Sequence, residues 1–231
     1  MIAIIGAMEV EIKTIKSHMQ DAVTKTIGGI DFYQGKLAGK PVVLAKCGVG
    51  KVFAAHAASI ITSHFPATSV INVGVAGGIA PEVNIGDVVL SSQLVQHDVD
   101  VTAFGYALGR VPSSDDVFWQ ACKKLVDIGQ KAAEEALPAD KKLHIGAVAT
   151  GDQFIHSPEA KDGIWSNFKA LCAEMEGAAI AQICHVANIP FVAIRAISDK
   201  ADGTAHEDFP AFVNETAEIS AALLMNMLKQ I

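Results

Sequence analysis

The sequence predicts an α/β fold, a single domain whose largely parallel or mixed central β-sheet is flanked by helices. Three observations predict it. Short β-rich runs alternate with longer helical ones along the chain. Several of the β-rich runs are apolar at every position, as strands covered on both faces are. The 231 residues, 51% hydrophobic and 19% charged, suffice for one well-buried core, and no repeat, low-complexity tract or Pro/Gly/Ser-rich linker divides them. Residues 1–231 therefore read as one domain.

Strands are predicted over residues 2–6 (IAIIG), 41–48, 68–78 (TSVINVGVAGG), 86–92, 145–151, 170–175 and 190–198 (PFVAIRAIS), each rich in Val, Ile or Ala and bounded by Gly, Pro or polar residues. Between them, residues 7–19, 51–64, 115–136, 157–168 and 176–187 read as helices. The clearest helix starts at Phe209. Apolar residues from Phe212 to Leu228 recur there at spacings of three and four, with Glu215, Glu218 and Lys229 on the other face. Residues 102–116 (TAFGYALGRVPSSDD) read as a long ordered loop.

Charge narrows the partners. A formal net charge of −7 gives no basic surface for a phosphate backbone or an anionic membrane, so nucleic acid and lipid are disfavoured against small molecules or proteins. Four scattered cysteines with no C-x-x-C pair suit reduced thiols. Glu9 and Glu11 interrupt the N-terminus too early for a signal peptide, and no apolar stretch approaches the roughly 18 residues of a membrane span. A cytoplasmic protein is expected.

Local motifs are weaker guides. GVGK (48–51) lacks the phosphate-loop spacing, and GVAGG (74–78) lacks that of a dinucleotide turn. The glycines there fit a ligand edge and tight packing equally. In HDVD (97–100), strand alternation would put Asp98 and Asp100 on one side and His97 on the other, and no second histidine cluster accompanies them, so no metal is expected. Glu174, Glu176 and Asp199 stand out more, because they lie at the ends of apolar strand-like runs, where α/β enzymes gather their polar groups. The only arginines are Arg110 and Arg195, too few for a bidentate clamp on a free phosphate.

Eight segments then occur in one order over essentially the full length: IIGAMEVEI, CGVGK, NVGVAGG, GDVV, QHDVDVTAFGY, TGDQFI, EMEGAAIA and RAISDKAD. Together they resemble the bacterial 5′-methylthioadenosine/S-adenosylhomocysteine nucleosidases of the purine nucleoside phosphorylase superfamily. The resemblance implies a twisted mixed sheet and hydrolysis of the N-glycosidic bond of 5′-thio-substituted adenosines, with no cofactor. Asp199 maps onto the acid that protonates the leaving adenine, with Ser198 orienting it. Glu11 maps onto the residue that activates water, with Arg195 nearby to fix the geometry. Glu176 maps onto the glutamate that grips the ribose hydroxyls, against which Met175 packs; Glu174 is assigned a supporting or structural role.

For the base, Phe154 matches the stacking ring and Ile155 the backbone reader, while Ala76 and Gly77 count among the substrate contacts. Met8, Val49, Phe154, Met175 and Phe209 match the apolar pocket for the 5′-substituent. Val101, Phe104 and Pro112 match residues that a neighbouring subunit contributes, which implies a homodimer. One departure stands out: many members have NTGSAGG, so Val75 replaces a serine hydroxyl close to the water, at a net cost of about 0.5–1.5 kcal/mol for one hydrogen bond. Catalysis is expected to survive it. Other readings are a phosphate-dependent phosphorylase, a hydrolase preferring aminofutalosine or deoxyadenosine, and a non-catalytic adenosine-binding module.

Overall fold

The computed structural model describes residues 1–231. Its elements run β1 (Ile2–Gly6), α1 (Glu9–Ser17), β2 (Gln20–Ile27), β3 (Ile30–Leu37), β4 (Lys40–Lys46), α2 (Lys51–His64), β5 (Ser69–Gly78), β6 (Val88–Gln96), β7 (Trp119–Gln120), α3 (Lys123–Ala136), β8 (Leu143–Thr150), α4 (Pro158–Phe168), β9 (Cys172–Glu174), α5 (Gly177–Val186), β10 (Phe191–Asp199) and α6 (Ala205–Gln230). Residues 102–116 carry only a 3-10 turn, Thr102–Phe104.

All ten strands belong to one mixed sheet. β1 pairs in parallel with β4 and β5, and β10 with β5, while β3 joins β4 and β2 in antiparallel. β10 also pairs with β6, which leads through β8 and β9 back to β5, so these five strands close into a ring. The strands with no polar alternation lie at the centre: every residue of β1 and β10 is buried. Two large apolar clusters fill the two faces. One includes Ala54, Ala57 and Ile61 of α2 with Ala178 and Ile180 of α5, and the other Leu125 of α3 with Leu223, Leu224 and Met227 of α6. No helix is long and apolar enough to cross a membrane.

The structure departs from the sequence reading in four places. β2 and β3 were unread, because every residue of β2 but the last is exposed and its QDAVTKTI pattern offers no buried face. The helix predicted over 115–136 starts only at Lys123. Before it, Trp119 pairs with Leu94 as strand β7, and the Cys122 N–H donates to the Phe191 carbonyl at 2.7 Å, committing this backbone to the sheet. α6 begins four residues before the predicted start at Phe209, at Ala205, and holds Pro210 in its second turn. His97–Asp100 is not strand, since β6 ends at Gln96 and the chain turns there; Asp98 and Asp100 serve different partners instead of sharing a face.

Candidate functional site

A cavity of about 430 Å³ opens where β1, β5, β8, β9 and β10 end. Such C-terminal strand edges are where open α/β sheets present their polar groups. Its lining is mostly apolar, but Glu11, Glu174, Glu176 and Asp199 all reach it.

Glu11 occupies the third position of α1 and reaches back over the helix start, where backbone N–H groups lack helical partners. Its Oε2 accepts from the N–H groups of Ala7 (2.7 Å) and Met8 (2.9 Å), and its Oε1 accepts from that of Val75 on β5 (3.0 Å). Burial pushes its pKa above the ordinary glutamate value, opposed by the Arg195 charge and by these N–H groups. The result is a fixed carboxylate more basic than a solvated one. The Val75 contact runs through the backbone, so it is indifferent to the valine side chain, which lines the cavity.

Asp199 is the last residue of β10 and 2% exposed. Its Oδ1 accepts from the Ala201 N–H at 2.9 Å. Ser198 Oγ lies 2.9 Å from Oδ2 and 3.4 Å from the Ala76 carbonyl oxygen. A hydroxyl has one proton to give, so Ser198 donates to the carboxylate when Asp199 is ionised and to Ala76 when Asp199 is protonated. Burial raises the Asp199 pKa against those two donors, and the Asp202 and Asp208 charges oppose its ionisation further. Glu11 has an arginine in its field and Asp199 does not, so the two environments favour a base at one place and an acid at the other.

The same cavity is lined by Glu176, which immediately precedes α5, and by Glu174, the last residue of β9. Glu176 Oε1 accepts from the Gly50 N–H at 2.9 Å, and burial together with the Glu174 charge pushes its pKa up. Glu174 accepts from the N–H groups of Glu176 and Gly177, from Thr150 Oγ1, and from Arg195 Nη2. It therefore ties β9, α5, β8 and β10 together. The sequence reading expects a supporting or structural role here, and the partners Thr150 and Arg195, remote in the chain, give that role its content.

Arg195 lies near Glu11, as expected, but behind the cavity wall. It does not line the cavity but lies fully buried, with Nη2 donating to Glu174 and to Asn72 Oδ1 and lying 3.8 Å from Glu176 Oε2. It acts on Glu11 only through its field. Its fit depends on Gly74, where a Cβ would overlap both Arg195 Nη1 and Glu11 Oε1. Asn72, Thr150 and Gly74 lie inside segments that the sequence marks, but their contacts with Arg195 and Glu174 join positions far apart in the chain.

The other predicted residues fall into two sets. Met8, Val49, Ala76, Gly77, Phe154, Ile155, Met175, Ser198 and Phe209 line the same cavity. Phe154, 45% exposed, meets Phe209 edge to face with ring centroids 5.9 Å apart. Gln153 and His206 also line it and were not anticipated. Val101, Phe104 and Pro112 do not reach it, and Phe104 is 82% exposed.

Residues 1–229 match the phosphorylase superfamily. The 5′-methylthioadenosine/S-adenosylhomocysteine nucleosidase of Anoxybacillus flavithermus is 42% identical over 231 residues, covering 100% of this chain and 98% of its own. The crystal structure of the enzyme of that name from Neisseria meningitidis, in complex with methylthio-immucillin-A, superposes with a TM-score of 0.95 at 41% identity and covers 100% of this chain and 99% of its own. A futalosine hydrolase mutant of Helicobacter pylori superposes at 0.94 with 35% identity, covering 100% and 99%. The chain belongs to the 5′-methylthioadenosine/S-adenosylhomocysteine nucleosidase family within the phosphorylase superfamily.

Proposed function

We propose that the protein hydrolyses the N-glycosidic bond of 5′-methylthioadenosine and S-adenosylhomocysteine, releasing adenine and the 5′-thioribose, and that the whole chain acts as one nucleosidase domain. The observation that carries this reading is that one cavity is lined by three buried carboxylates, Glu11, Glu176 and Asp199, each fixed by hydrogen bonds from different parts of the chain. In this assignment Asp199 gives its proton to N7 of the purine, so that adenine departs neutral. Glu11 takes a proton from the attacking water, whose oxygen forms the new bond to the ribosyl carbon as the bond to nitrogen breaks. Glu176 accepts from the ribose hydroxyls, and the nearby carboxylates favour the positive charge that develops on the ring. Phe154 stacks on the base, backbone groups of Ile155 read its edge, and the Met8, Val49, Met175 and Phe209 side chains take the apolar thioether.

Neither arginine is placed to clamp phosphate. Arg195 is held by Glu174 and Asn72, and the Arg110 Nε donates to the Ser114 carbonyl. Purified protein is expected to release adenine from 5′-methylthioadenosine equally well in phosphate-free buffer and with phosphate added. Release that required phosphate would make the protein a phosphorylase, and a marked preference for aminofutalosine would reassign the substrate.

A homodimer completes the site in this reading, with Val101, Phe104 and Pro112 closing the partner's pocket. Support comes from the apolar surface beside the cavity mouth: Val49, Val52 and Phe53 are 47%, 79% and 57% exposed, and Phe104 projects from its loop. Sedimentation is expected to give twice the chain mass. A fully active monomer would remove the partner's contribution. The acidic charge and absence of a spanning helix suit work on a small metabolite in the cytoplasm.

A further inference from the structure

Three segments outside the cavity are bracketed together by charge. Just past β6, Asp98 Oδ1 accepts from Lys51 Nζ at 2.7 Å, and its Oδ2 accepts from the Asp152 N–H at 3.0 Å. Asp152, beyond β8, uses its own Oδ1 to accept from the Lys51 N–H at 2.8 Å. The Asp98 and Lys51 side chains are only 16% and 18% exposed, so this is not a freely solvated surface pair. Neither they nor Asp152 touch the cavity.

The residue before Lys51 does act on it. Gly50 donates its N–H to Glu176 Oε1 at 2.9 Å from a backbone with φ of 101°, a conformation that glycine adopts without strain. A Cβ at Gly50 would also crowd Asp152 Oδ1 at 3.1 Å. Lys51 follows Gly50 directly and is held at its ammonium by Asp98 and at its N–H by Asp152, so the turn that presents the Gly50 N–H is fastened on its C-terminal side.

We propose that Asp98 is a positioning residue for the sugar-binding carboxylate, acting through Lys51 and the Gly50 N–H to hold Glu176 where it meets the ribose hydroxyls. This rests on the nucleosidase reading above. Groups that act on a ligand in series couple energetically, so removing the second after the first costs little more.

The test is a double-mutant cycle on binding, with every variant built on Asp199→Asn so that the nucleoside is held but not cleaved. Asp98→Asn is expected to weaken 5′-methylthioadenosine about 10-fold and to leave adenine, which lacks the sugar, within about twofold, as coupling through Glu176 requires. Added to Glu176→Gln, the same change is expected to cost the nucleoside less than about twofold more. Losses that multiply in the cycle, or an equal loss for adenine, would show Asp98 to be merely structural and overturn the proposal. Should Asp98→Asn fail to fold, Lys51→Gln opens the same bracket and is read identically. The wild type is assayed alongside for adenine release. If it hydrolyses the nucleoside while the losses multiply, only this inference falls; if it neither binds nor cleaves it, the function falls and the inference with it.

Discussion

Asp199→Asn is expected to bind 5′-methylthioadenosine almost as the wild type does and to release adenine about 10²–10⁴-fold more slowly, the usual worth of a general acid. The fold tolerates the change on geometric grounds. Asn keeps an oxygen for the Ala201 N–H, and its amide nitrogen can donate to Ser198 Oγ, which then donates to Ala76. What is lost is a transferable proton. The pH profile gives a second readout. Burial and the Asp202 and Asp208 charges raise the Asp199 pKa, so the reactive protonated form persists above the ordinary aspartate range and is lost as pH rises through the raised value. Wild-type turnover should fall on that basic limb, and the residual activity of Asp199→Asn should lack it. Near-normal turnover by the variant would move the acid role elsewhere.

Arg195→Met is expected to destabilise the protein by about 3–5 kcal/mol, measured as a fall in free energy of denaturant unfolding, because it removes one partner of a buried ion pair. Arg195 is fully buried between Glu174 and Glu176 and lies in the field of Glu11. Without the guanidinium these carboxylates must remain charged in a low-dielectric interior or take up protons. The folded pKa values of Glu11 and Glu176, already raised by burial and held down by the Arg195 charge, rise further. Stability gained from protonation is present at low pH and lost as pH rises through the raised values, so the deficit should be largest near neutrality and shrink on acidification. Adding Glu174→Gln should recover part of it. A deficit under about 1 kcal/mol at neutral pH would mean that the cluster is already largely neutral or hydrated.

The central strands were legible because burial on both faces leaves an unbroken run of Val, Ile and Ala, as in β1, β5 and β10. β2 was not, since an exposed strand leaves no such run, and the first turn of α6, Ala205–Asp208, carries no apolar periodicity to mark it. The closure of β5 onto β10 was invisible for a different reason. Val70 and Phe191 pair across the length of the chain, and no local spacing records a partner that distant. The site was read in the same divided way. Strand ends drew attention to Glu174, Glu176 and Asp199, but Glu11 and the separate roles came from the family resemblance. Glu174 could be understood only once Thr150, Gly177 and Arg195 were seen around one carboxylate.

The ring of strands has a consequence for synthesis on the ribosome. Glu11 is made early, but β10 must be translated before it can slot between β5 and β6 and bring Arg195 and Asp199 to the cavity. At about 5–20 residues per second, the nascent chain passes the synthesis of residues 97–190 as an incomplete circle with β5 and β6 unpaired on their mutual side. It emerges inert towards nucleosides, and one late strand closes the scaffold and arms the site together.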